Sequence, residues 1–136
     1  MSRSAPAALL LVLALAGCGE PAPRPQAKGQ EARAAMDLAA ADYWSCVKAA
    51  AEALPLTDDT QAGPAASGIL KGCANSRQLL VDRVYDVRRI GHDKEAEAIS
   101  HEVADQSVTA IEGELRERAV VILVQRQVAA APKPQG

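Results

Sequence analysis

The sequence predicts an all-α domain, a small antiparallel up-down-up three-helix bundle, and three observations carry that expectation. Apolar residues recur at spacings of three and four over three long segments, the signature of amphipathic helices. The connections between those segments are short and rich in turn formers, which favours antiparallel neighbours. Cys46 and Cys73 lie eight residues before Leu54 and nine after Pro64, so both sit about 12 to 14 Å from the first turn at a rise of ~1.5 Å per residue. Two cysteines level with each other across a hairpin are placed for a bridge.

The first helix is expected over about 31–54. Met36, Ala40, Tyr43, Val47, Ala50 and Leu54 form its apolar stripe, Asp37, Ser45, Lys48 and Glu52 lie off it, and Pro55 ends it. The stretch "LTDDTQAG" supplies a turn, and Pro64 suits the first turn of a second helix over about 64–90. That helix places Ala66, Ile69, Cys73, Leu80, Val84 and Val87 on one side, interrupted by Ser76 and Arg77. Arg88 and Arg89 suit its negative pole, and Gly91 suits a left-handed cap. A third helix is expected over about 94–129, with Asp93 as its cap and Glu95 and Glu97 in its positive first turn. Its apolar side comprises Ala96, Ile99, Val103, Val108, Ile111, Leu115, Ala119 and Ile122. Pro132 and Pro134 then mark residues 131–136 as a disordered tail, which leaves 31–130 as the folded domain.

Before that domain the sequence changes character twice. Residues 1–17 hold Arg3, an apolar run from Ala7 to Ala16 and a small-residue end, the order of a secretory signal. The run is roughly half the ~20 residues that a membrane span requires. Residues 19–30, "GEPAPRPQAKGQ", alternate proline with small and polar residues and read as a flexible tether.

Leu15-Ala16-Gly17-Cys18 resembles the lipobox of bacterial lipoproteins, in which the signal peptide is cut before the cysteine. The resemblance implies residues 1–17 as signal peptide, acyl chains such as palmitate on Cys18, and a body tethered in the periplasm. Two or more chains anchor a protein firmly, since each buried methylene adds about 0.8 kcal/mol. Gly19, where an inner-membrane retention signal usually has Asp, favours the outer membrane. With Cys18 carrying lipid, the three cysteines reduce to one pair, Cys46 and Cys73, in an oxidising compartment where disulfides persist. A bridge across that loop stabilises the fold by roughly 3 to 4 kcal/mol.

Composition argues that such support is needed. The 119 residues from Cys18 onward suit one small domain, and their aromatic residues are Tyr43, Trp44 and Tyr85, with no Phe. A core of Ala, Val, Leu and Ile gains less from burial than an aromatic one. Removing Arg3 with the signal shifts the formal charge from -2 to -3, so the broad positive field of a nucleic-acid binder is lacking and no nucleic-acid partner is expected.

Candidate sites are few. Glu97, His101 and Asp105 share one helical face, a weak metal-binding candidate that reads more simply as a solvated polar face. His92, beside Gly91, reads as a turn residue, and Arg77, Arg83, Arg88 and Arg89, matched by Asp82, Asp86 and nearby acids, read as a mixed-charge solvated face rather than an anion site. No phosphate loop, Ser-His-Asp arrangement or Cys-x-x-Cys motif occurs in the sequence, so neither an enzyme nor a cofactor is expected. Trp44 either packs at an edge against the third helix or meets a partner. The run "AVVILV", residues 119–124, is apolar all round, so Val120, Val121, Ile122, Leu123 and Val124 have two possible fates. Either Leu54, Leu56 and the first loop fold over them, or they form an exposed patch for a partner helix or a second copy. Together these features predict a non-enzymatic interaction module of the envelope, bound to the membrane through Cys18 and to an envelope protein or itself. The alternatives are a small-ligand or metal carrier, or an inhibitor of an envelope-directed enzyme such as lysozyme, the role of some other small helical lipoproteins.

Overall fold

The computed structural model describes residues 25–131, so the expected signal, Cys18, the first half of the tether and all but the first residue of the tail lie outside the described residues. Within them the protein is all-helical: α1 spans Pro25–Ala53, α2 Ala62–Gly72, α3 Ala74–Gly91 and α4 Glu97–Ala130. The chain is stapled by one disulfide, Cys46 to Cys73, with a Cα separation of 6.0 Å.

The described helices are four where three were expected, because the middle segment breaks at Cys73. That residue has ψ of 23°, far from the helical value near -42°, and its N–H is shared between the carbonyls of Ile69 and Leu70. Gly72, just before it, is a weak helix former and does little to resist the break. Regular bonding resumes when the Arg77 N–H donates to the Cys73 carbonyl.

Other boundaries also move for physical reasons. α1 begins at Pro25, inside the stretch expected as tether; Pro25 suits a first helical position, and no later proline interrupts the chain until Pro55. α4 starts at Glu97 after an extended Ala96, without a side-chain cap, so Asp93 does not cap it. The Arg89 guanidinium instead holds the carbonyls of His92, Asp93 and Glu95, which fixes this turn as non-helical. Gly91 closes α3 without a positive φ, and His92 ends the helix with its N–H on the Arg88 carbonyl.

Contacts fix the helix directions. Gly29 lies beside Ile90 and Cys46 is joined to Cys73; 17 residues forward along α1 match 17 backward along α3, so the two are antiparallel. α4 runs against α2 and α3, pairing Asp105 with Arg77 and Arg116 with Ser67. It runs alongside α1, pairing Glu112 with Tyr43 and Arg126 with Ala51.

The core lies where these paths meet: Ala39, Tyr43, Val47 and Ala51 from α1, Ala66 and Ile69 from α2, Leu80 and Val81 from α3, and Ala104, Val108, Leu115, Ala119 and Leu123 from α4. Five of these are alanines, which bring helix axes close but bury little area each. The disulfide, with buried Cys73, supplements that modest burial. The start of α4 departs from expectation, because Ser100 and Ala104 face inward while Ile99 is half exposed. Ser100 is accommodated because its hydroxyl donates to Glu95 at 2.7 Å, which satisfies a polar group that would otherwise be costly to bury.

Candidate functional site

The first candidate is polar and crosses the middle of the bundle. Tyr43 is fully buried, and its hydroxyl donates to Glu112 Oε1 at 2.7 Å. The same oxygen accepts from Arg77 Nε at 3.1 Å. Arg77 Nη1 donates to Asp105 at 2.8 Å and Nη2 to Thr109 at 3.1 Å. One guanidinium on α3 thus joins three positions on α4, while the tyrosine brings in α1.

Burial, and next the hydrogen bond to Glu112, push the Tyr43 hydroxyl well above its ordinary value of 10. The neutral phenol therefore stabilises the fold fully below about pH 10, and progressively less as pH rises above that value. Hydrogen bonding to Asp105, and then to Glu112, raises the already high Arg77 value against the opposing effect of desolvation. This is a fixed, mutually satisfied network that holds helices together. Sequence reasoning noted Arg77 as an interruption of an apolar stripe and as one arginine of a mixed-charge solvated face; the structure instead turns it to partners on the facing helix, and the interruption was the signal for them.

Beside the network an open groove runs between the α2–α3 junction and α4. It encloses about 480 Å³, and Leu70, Ala74 and Gly113 are among its lining residues. Lys71 and Arg116 also line it. Arg116 Nε donates to Ser67 Oγ at 3.0 Å, and that hydroxyl donates to the Gly63 carbonyl at 3.2 Å. The serine therefore fixes the guanidinium from α2. Nothing in the sequence marked this groove, since its walls come from segments some 40 residues apart.

The second candidate is apolar. In the run 119–124, Ala119 and Leu123 are buried, Val120 and Ile122 are half-buried against the core, and Val121 and Val124 are exposed. Leu54 and Leu56 pack against the core, and the first loop is held over α4 by Arg126 and Gln127. Arg126 Nη1 donates to the carbonyls of Ala51 and Leu54 at 2.7 and 2.9 Å, and Gln127 donates to that of Thr60 at 2.7 Å. Each of the two expected fates thus describes one side of the run. With Val128, 72% exposed, Val121 and Val124 form a stripe at i, i+3 and i+7 that points away from the core.

The remaining sequence candidates separate. Trp44 is half-buried against the core, with the Arg118 guanidinium of α4 at 5.5 Å from its ring centroid, a cation–π contact at the α1–α4 edge. It is not part of the valine stripe. His101 stacks on Tyr85, with centroids 3.9 Å apart, and Asp105 is engaged by Arg77. Among the described residues, no group of His, Cys, Asp and Glu has the geometry of a metal site, so Glu97, His101 and Asp105 do not assemble one. Of the arginines expected on a solvated face, Arg83 pairs locally with Asp86, whereas Arg77 and Arg88 make structural contacts across elements. No protein-family model, curated protein sequence or solved structure matches the chain.

Proposed function

We propose that the protein is a lipid-tethered, non-enzymatic interaction module of the bacterial envelope, which presents the Val121–Val124–Val128 face to an apolar helix of a partner protein. The exposed stripe is the observation that carries this reading. Three valines on one face of a long helix form a contiguous apolar surface of the kind that helix-in-groove and helix-pair contacts use. Their position supports it too. α4 runs alongside α1, so the stripe lies near the far end of the bundle from Pro25, about 43 Å away along the 29 residues of α1. A chain anchored at Cys18 would enter the bundle from its anchor at the Pro25 end, opposite the stripe. Among the described residues no helix is long and apolar enough to cross a membrane, and the lipobox resemblance supplies the anchor instead.

A photo-crosslinking residue at Val124 in intact cells tests the reading, with Lys48 on exposed α1 surface as control. A discrete adduct at Val124 and none at Lys48 is expected; an adduct of twice the chain's mass identifies a second copy as the partner. No Val124 adduct, with a monomer by light scattering, overturns the proposal. The anchor is tested separately: palmitate should label the wild type and not Cys18→Ser, and an unlabelled wild type removes it.

A further inference from the structure

We infer that the groove between the α2–α3 junction and α4 binds a small organic carboxylate with an apolar tail, the carboxylate held by Arg116 and Lys71 and the tail lying along Leu70, Ala74 and Gly113. This goes beyond the interaction reading and requires neither the lipid anchor nor the valine stripe.

Three observations converge on it. The groove's volume, about 480 Å³, lies within the ~300–1,000 Å³ usual for small-molecule sites. Its charge is uneven: Arg77 and Glu112 neutralise each other at 3.1 Å, whereas Lys71 and Arg116 have no carboxylate partner among the described residues. The groove thus carries two spare cations in a chain whose net charge is negative. Arg116 is also pre-positioned, because its Nε is tied to Ser67 while its terminal nitrogens make no hydrogen bond to the described residues. A guanidinium held by one edge offers the other edge to a carboxylate, the pairing its fork geometry fits best.

Gly113 is the third observation. Glycine is unfavourable in a helix interior, yet a Cβ there would meet nothing within 4 Å, so packing does not require its absence. A side chain at that position would occupy the groove. Gly113 therefore keeps the floor clear, and it provides a means of blocking the site without disturbing the core.

The test uses the oxidised protein and sodium octanoate, followed by amide chemical shifts, with octyltrimethylammonium as a probe of the same tail length and opposite charge. Octanoate should give saturable shifts centred on Leu70, Lys71, Ala74, Gly113 and Arg116. Arg116→Gln and Lys71→Gln should each weaken binding about tenfold, the effect expected of losing one charge-assisted contact, and Arg116→Lys should recover part of that loss. Gly113→Leu should abolish binding with the helical circular dichroism unchanged. Equal binding of octyltrimethylammonium, shifts centred on Val121 and Val128, or undiminished binding by both Gly113→Leu and Arg116→Gln would overturn the assignment.

Discussion

The two ends of the bundle are closed by different chemistry. At the end where α3 turns into α4, the Arg88 guanidinium grips both oxygens of Glu95 at 2.6 Å, and Ser100 donates to the same carboxylate at 2.7 Å. At the other end Arg126 and Gln127 reach from α4 to backbone carbonyls of α1 and the first loop. Only the first latch contains a carboxylate. Hydrogen bonds from Arg88, and next from Ser100, hold Glu95 down from its ordinary 4.5 to about 2. Its contribution is therefore fully present above about pH 4.5 and fades as pH falls toward 2. The carbonyl latch has no group that titrates in this range. One fold thus has an acid-sensitive end and an acid-indifferent end, with the disulfide between them.

The largest expected effect comes from removing what joins the two ends. Cys46→Ser with Cys73→Ser, or reduction of the bridge, should lower the unfolding free energy by roughly 3 to 4 kcal/mol, measured by urea denaturation. A loss below about 1 kcal/mol would mean that α1 and α3 hold register unaided. Next, Arg126→Ala should cost about 1 to 2 kcal/mol by leaving the Ala51 and Leu54 carbonyls without their donor. Amide exchange in residues 54–61 should accelerate while the Glu95 turn is unaffected, and acceleration spread evenly over both ends would refute independent latches. The smallest effect is expected of Glu95→Gln. It should be mildly destabilising at neutral pH, and it should flatten the fall in thermal midpoint between about pH 4.5 and 2. An unchanged acid slope would place the acid sensitivity elsewhere.

The helical class was legible because periodicity survives in a low-aromatic sequence. Tyr43, Val47, Leu80, Val108 and Leu115 were on the expected stripes and are buried. The cysteines were legible for a separate reason, since equal height in a hairpin is a property of counting and not of hydrophobicity. Two features were hidden. The register of α4 is set near its C-terminal end, where Leu115, Ala119 and Leu123 are buried four apart; stepping back from Val108 by fours reaches Ala104 and Ser100, not the more apolar Val103 and Ile99. A serine is a poor core candidate until the carboxylate it serves is known, and Glu95 is placed by a turn that the capping pattern misread. The groove was hidden because its cations, Lys71 and Arg116, belong to different helices, and in each helix alone they are ordinary polar positions. The valine stripe was half legible: the apolar surplus was plain, but the side of it that the loop covers depends on Arg126 and Gln127.

The placement of the staple also governs what happens to a cut chain. Cys46 and Cys73 bracket the whole first loop, including exposed Thr57, Asp58 and Asp59. A protease that nicks this loop severs the backbone but releases neither fragment, and the stump beginning near Asp59 stays bolted to the one ending near Asp58. Cleavage should therefore be invisible on a non-reducing gel and appear as two bands once thiol is added. In an oxidising compartment such damage would leave the protein in one piece, with its helices still docked.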